Sequence, residues 1–156
     1  YECELTLRID RPLKNETDPQ KALQAVGAVT LGLDLTLREL QDELKKKGQP
    51  WERSKAFDGS CMLADWVDVD QVVTHWDDLH YRLEINDELR QKGDSAFLIF
   101  DIGTLLVDIN QVFGLEVGDV VMTGTPAGVA ALQTGDQLCM TLQGKTQDYV
   151  WNTFVK

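Results

Sequence analysis

Residues 1–9 read Tyr1-Glu2-Cys3-Glu4-Leu5-Thr6-Leu7-Arg8-Ile9, and their alternation decides what kind of fold can follow. Successive side chains of a strand point to opposite faces, so Cys3, Leu5, Leu7 and Ile9 share one side and Glu2, Glu4, Thr6 and Arg8 the other. A strand is expected over residues 2–9, ended by Arg11-Pro12. Glu2 and Glu4 then stand about 7 Å apart at their backbones, from a rise of roughly 3.4 Å per residue. The pair is either the solvated face of an edge strand or half of a cation site whose other ligands lie downstream.

The next segments set the class. Asp18-Pro19 has the form of a helix start, with Asp as N-cap and Pro at the first helical position. The apolar, partly β-branched run from Val26 reads as a buried strand to Asp34. Thr36 and Glu39 have capping-box spacing for a helix that carries Leu37, Leu40 and Leu44 inward and stops after Lys45-Lys46-Lys47 at Gly48. Residues 49–65 show no period and read as a long ordered loop. Leu79, Tyr81, Leu83 and Ile85 alternate into Asn86-Asp87, a hairpin with a tight turn continuing through Leu89. Ile102, Leu105, Leu106, Ile109, Val112 and Phe113 recur at helical spacing and Gly114 closes that helix. The remainder is strand and turn. The class is α+β, rich in strands, with short helices outside.

With 156 residues, 43% of them apolar, the chain suits one folded domain with a single core. Its formal charge of −11 disfavours nucleic acid and anionic membranes as partners but leaves room for a small anionic substrate. Cys3, Cys61 and Cys139 are odd in number and form no C-x-x-C, which fits a reducing compartment without a disulfide framework or zinc site. No apolar run approaches the roughly 20 residues of a membrane helix. A cytoplasmic protein is expected, or an organelle-matrix protein if a targeting segment precedes Tyr1.

Several residues could carry chemistry. Asp34 ends a buried strand, where an ionised acid needs a partner or an ion; helix capping is its plainer reading. Three oxygen ligands without His or Cys would favour Mg²⁺, Mn²⁺ or Ca²⁺ over zinc. Arg38 and Gln41 are three apart on one helix and would line a pocket floored by Asp34, or form a solvated face. Lys55, in SKAFD, would bind a substrate carboxylate or lie exposed. The loop Thr123–Val129, TGTPAGV, combines hydroxyls and glycines that can hold an anion, or is an ordinary turn. Two motifs fail. Gly144-Lys145-Thr146 lacks the earlier glycine of a phosphate loop and precedes a strand-like Tyr149-Val150-Trp151. His75 and His80 are five apart, which suits neither a helical nor a strand pair, and both read as surface or structural.

Taken in order, YECEL, GLDLTLRELQ, QPWERSKAFDGSC, INDELRQKG and LEVGDVVMTGTPAGV resemble the C-terminal core of the fumarylacetoacetate hydrolase family, closest to its small acylpyruvase members. The resemblance covers nearly all of residues 1–156. It implies a strand-rich fold of mixed β-sheets with short peripheral helices, and a homodimer. It also implies Mg²⁺ or Mn²⁺ held by Glu2, Glu4 and Asp34, a catalytic Lys55, and substrate contacts from Arg38, Gln41 and Thr125. The family places a general-base His and its partner Glu upstream of the ECE strand, and neither His75 nor His80 matches that position. The chain is therefore expected to be a core preceded by a further segment. Departures at Asp87 and Ala130, where the family usually has Gly, imply local turn changes. CMLADWV in place of a proline-rich stretch implies an altered pocket rim or dimer contact.

The resemblance implies cleavage of acylpyruvate-type β-diketo acids through a metal-stabilised enolate, giving pyruvate and a carboxylic acid. The same enolate would serve the alternatives, oxaloacetate decarboxylation or isomerisation of an unsaturated oxo-diacid. A metal-binding, non-catalytic homologue is the remaining reading. Hydrolysis ranks first, with a small 2-oxo acid as partner.

Overall fold

The computed structural model describes all 156 residues. The opening strand, β1 (Cys3–Ile9), pairs antiparallel with β2 (Val26–Asp34), Cys3 lying opposite Leu33 and Leu7 opposite Val29. Two short strands, β3 (Cys61–Leu63) and β4 (Val67–Asp68), share the far edge of β2. On the other edge of β1 runs β7 (Val120–Met122), which reaches only from Thr6 to Arg8. A second sheet has the order β6-β5-β8-β9, built from β5 (His80–Ile85), β6 (Glu88–Asp94), β8 (Gln137–Gln143) and β9 (Asp148–Phe154). Leu5, Leu7 and Leu31 of the first sheet and Leu83, Met140 and Leu142 of the second belong to one core.

Helices are short and outside the sheets. Asp18 caps α1 (Pro19–Leu23), accepting from Gln20 N–H, with Pro at the first turn as the sequence implied. Helix α4 (Ile102–Val112) is capped by Asp101 and packs against α1; Gly114 follows it in the left-handed region, φ +69°. The turn between β5 and β6 places Asn86 at φ +53° and Asp87 at φ +63°, the backbone a two-residue hairpin turn requires. Asp87 thus holds a conformation that suits glycine better. A fourth helix, α3 (Val69–Val72), is a single turn after β4. No helix is long and apolar enough to cross a membrane.

The α+β class holds, and four expectations change. All strand pairings are antiparallel rather than mixed. Hairpins join β5 to β6 and β8 to β9, β1 reaches β2 through α1, and β1 meets β7 and β5 meets β8 from distant parts of the chain, with none of the parallel pairs that require a crossover. Residues 49–65 are not wholly loop: they contain a 3-10 turn at Glu52–Ser54 and strand β3. The polar side of β1 is not wet, for Glu4 is 4% exposed and Thr6 fully buried. Chain 63–66 folds over that side: Leu63 and Thr6 crowd Gly32, Thr30 donates its hydroxyl to the Asp65 carbonyl, and Trp66 lies under Arg8.

The fourth change concerns α2 (Arg38–Lys46). It has no side-chain cap, because it begins at Arg38 with Leu37, not Thr36, at the N-cap. Its buried residue is Gln41, whereas Leu37 is exposed. Leu37 and Leu40 border an open apolar groove of about 930 Å³ with Phe57, Val129 and Leu132 rather than a closed core.

Candidate metal centre

The ladder between β1 and β2 puts Glu2 directly across from Asp34, whose N–H donates to the Glu2 carbonyl at 2.9 Å. Glu4 lies two residues on, facing the same way and opposite Gly32. Period two on one strand and antiparallel register on the next thus gather three carboxylates, with oxygens all within 4.8 Å of one another. Acids this close repel unless something positive stands among them.

Two cations from the segment after β2 answer that charge. Lys55 follows the 3-10 turn, which is tied down by Leu37 N–H to Ser54 O and Leu35 N–H to Ser60 O. Its ammonium donates to Glu2 Oε2 at 2.7 Å, Asp34 Oδ2 at 2.5 Å and Thr36 Oγ1 at 2.8 Å. Thr36, one residue before the Leu37 N-cap, therefore serves Lys55 and not α2, and its own proton goes to Asp34 O. Arg38, in the first turn of α2, donates Nη2 to Glu2 Oε1 at 2.5 Å and Nη1 to Gln41 Oε1 at 2.8 Å. Buried Gln41 consequently holds the guanidinium rather than lining open space.

The three acids are not equivalent. Burial raises the Glu2 carboxyl, but hydrogen bonds from Lys55 and Arg38 outweigh it and the net shift is downward. Burial likewise lowers Lys55, and its bonds to Asp34 and Glu2 reverse that to a net rise. Glu4 has no cationic hydrogen-bond partner. Burial pushes it up to about 7, Asp34 and Glu2 push the same way, and only the Gly124 N–H at 2.6 Å opposes them strongly. With all three carboxylates ionised, Lys55 and Arg38 would leave the cluster one negative charge in excess, and Glu4 is the acid without a cationic partner. Hard oxygen donors with that surplus fit a divalent cation such as Mg²⁺ or Mn²⁺. Cys61 stands beside Asp34 in register, but burial and the charges of Asp34 and Glu4 raise its thiol, so it makes a poor ligand.

The TGTPAGV loop completes the site. Thr123 N–H and hydroxyl both reach Leu5 O, Gly124 N–H reaches Glu4, and Thr125 Oγ1 donates to Cys3 O at 2.9 Å. The resemblance implies a substrate contact for Thr125, and in the structure its hydroxyl is bonded to the backbone between Glu2 and Glu4. His80 lies between Asp78 and Asp94, and His75 lines a separate cavity with Asp77 and Asp101. Neither contacts the cluster. Two participants escaped sequence reasoning: Thr36, taken for a cap, and Gln91, which donates to Thr125 and accepts from Cys3 N–H. A polar residue in a strand of otherwise inward phase was the available signal for Gln91.

Two packed antiparallel sheets with a carboxylate cluster at their edge describe an α+β protein equipped for a hard cation. The chain belongs to the fumarylacetoacetate (FAA) hydrolase C-terminal family, whose model matches residues 1–150. It is 40% identical over 144 residues to oxaloacetate tautomerase YcgM of Escherichia coli (strain K12), covering 92% of this chain and 65% of that protein. The chain thus spans a little under two thirds of that relative's length. Its fold is similar to that of a fumarylacetoacetate isomerase/hydrolase, so described, from Oleispira antarctica (TM-score 0.93, 38% identity, 99% of this chain and 70% of that one). It is also similar to fumarylpyruvate hydrolase from Pseudomonas aeruginosa in complex with Mn²⁺ and pyruvate (TM-score 0.87, 29% identity, 100% and 66%).

Proposed function

We propose that this chain is the cation-binding core of an enzyme that enolises a small 2-oxo acid, with oxaloacetate tautomerisation as its reaction. The observation that carries the reading is the convergence of Glu2, Glu4 and Asp34 within 4.8 Å, flanked by Lys55 and Arg38. The name of the Escherichia coli relative supports the isomerase alternative over acylpyruvate hydrolysis, which the sequence ranked first. Hydrolysis remains the second reading because a fumarylpyruvate hydrolase shares the fold.

A divalent ion held by Glu2, Glu4 and Asp34 would supply a Lewis acid for the 2-oxo group. The residues of the site bind and polarise the substrate, and none of them is assigned as the base that takes and returns the carbon-three proton. Lys55 and Arg38 neutralise the substrate carboxylate and the oxyanion that develops as a proton leaves carbon three. Gln41 keeps the guanidinium aimed, and the Thr125 loop fixes the orientation of the bound acid. Tautomerisation returns the proton to oxygen or carbon and breaks no carbon–carbon bond. The homodimer expected from the resemblance belongs to this proposal; exposed Phe97, Ile99 and Phe100 support it, and sedimentation of the full-length protein tests it.

The experiment follows three reactions of two substrates, oxaloacetate and an acylpyruvate, with full-length protein and Mg²⁺. Faster loss of the oxaloacetate enol absorbance without pyruvate is the expected result. Pyruvate from an acylpyruvate would establish hydrolysis instead, and pyruvate from oxaloacetate decarboxylation. No activity on any of them by protein that binds Mg²⁺ would overturn the enzymatic reading.

A further inference from the structure

Cys3 sits between Glu2 and Glu4, and its backbone is fully buried. On one edge it pairs with Leu33 of β2. On the other, the β7 ladder has stopped at Thr6, so the Cys3 N–H and carbonyl have no strand to bond. Side chains replace it. Gln91 Oε1 accepts from Cys3 N–H at 2.9 Å, and Thr125 Oγ1 donates to Cys3 O at 2.9 Å. Gln91 Nε2 in turn donates to Thr125 Oγ1 and to Pro126 O, each at 2.9 Å.

The direction of each bond is forced. A peptide N–H only donates and the Pro126 carbonyl only accepts, so the Gln91 amide has one orientation. Thr125 Oγ1 therefore accepts from Gln91 and must send its single proton to Cys3 O. One lone pair of the hydroxyl is left, and no proton.

Backbone geometry explains how Gln91 gets there. In the β5–β6 ladder Leu83 faces Gln91 while Glu84 faces Leu89, so Arg90 is an extra, bulged residue. The bulge changes the phase of β6: Leu89 is turned out to solvent and Gln91 is turned in, 1% exposed. Gly128 in the TGTPAGV loop, at φ +106°, lies so close that a Cβ would be 2.1 Å from the Arg90 carbonyl oxygen. The loop and the bulged strand are shaped to meet.

We infer that Gln91 is a positioning residue that couples the cation-binding strand to the substrate-binding loop, and that it makes Thr125 a hydrogen-bond acceptor toward the substrate. The group that Thr125 meets is then one that carries a proton, as the hydroxyl of an enol does and a ketone oxygen does not. This inference rests on the proposed function for the identity of the site.

The test uses full-length protein with Gln91→Met, which keeps length and removes the amide, and Gln91→Glu, which keeps shape and can only accept. Mg²⁺ affinity is read by calorimetry, and turnover of oxaloacetate separately. Gln91→Met should weaken Mg²⁺ about tenfold, as loss of groups that orient ligands commonly does, and lower kcat more than it raises KM. Its effect on kcat/KM for oxaloacetate should be less than additive with Thr125→Val, because the two side chains form one unit. Gln91→Glu, unable to donate to Thr125, should not rescue. Leu83→Ala, in the core beside Gln91, controls for stability and should leave affinities unchanged at an equal loss of Tm. Wild-type Mg²⁺ affinity in Gln91→Met, or full additivity with Thr125→Val, would overturn the inference while leaving the proposed function standing. Wild-type protein that binds no divalent cation would sink the proposed function first.

Discussion

Replacing Glu4 by Gln should change the sign of its effect on stability when a divalent cation is added. Glu4 is 4% exposed and the only hydrogen bond to its carboxylate is from Gly124 N–H. Burial, reinforced by Asp34 and Glu2, lifts its carboxyl from 4.5 to about 7. At about 1.4 kcal/mol for each tenfold change in proton affinity, the ionised form costs the cation-free protein at most about 3 kcal/mol. The sign follows from linkage. A raised folded-state value means that the native protein holds this proton more tightly than the unfolded chain. Stability is therefore fully present below the unfolded value of 4.5 and is lost as pH rises through about 7. Gln carries no charge, and its oxygen can still accept from Gly124 while its amide faces the other acids. In EDTA at pH 8, Glu4→Gln should be more stable than wild type by up to about 3 kcal/mol, and at pH 4.5 the two should converge. With Mg²⁺ at a hundred times its dissociation constant, wild type should gain about 2.7 kcal/mol and the variant little. Urea denaturation at both pH values, with and without Mg²⁺, measures all of this. A variant less stable than wild type in EDTA at pH 8 would refute the reasoning, as would equal Mg²⁺ stabilisation of the two proteins.

Lys55→Met should cut turnover at least a hundredfold, because it removes an oxyanion-stabilising charge. It should also lower cation-free stability by about 1–2 kcal/mol, a buried-pair loss discounted for the partial exposure of the lysine; unchanged kcat/KM and urea midpoint would contradict both. Asp87→Gly should raise the unfolding free energy measured in urea by about 0.5–1 kcal/mol, since φ +63° strains an L-residue and the aspartate makes no bond that the turn needs. A loss of stability would show that the Asp87 side chain holds the turn.

What could be read in the sequence was what neighbours along the chain decide. β1 and β2 announce themselves by alternation and by a β-branched run, α1 by Asp18-Pro19, α4 by its helical spacing, and the β5–β6 turn by Asn86-Asp87. Each is settled within a few residues, where backbone preference and capping act. Even the three acids were found in the sequence, although their convergence rested on family resemblance, since spacing alone left Glu2 and Glu4 as a wet strand face. Only the tertiary structure buried that face, because chain 63–66 covers Thr6 and Gly32 from more than 30 residues away. Only it took the Thr36 hydroxyl from the helix and gave it to Lys55, 19 residues on. Gln91 needed both a bulge at Arg90 and a ladder that ends at Thr6, two features of strand pairing that no local pattern carries. A hydrogen bond forms with whichever partner the fold brings within 3 Å. For Cys3 that partner lies 88 residues down the chain.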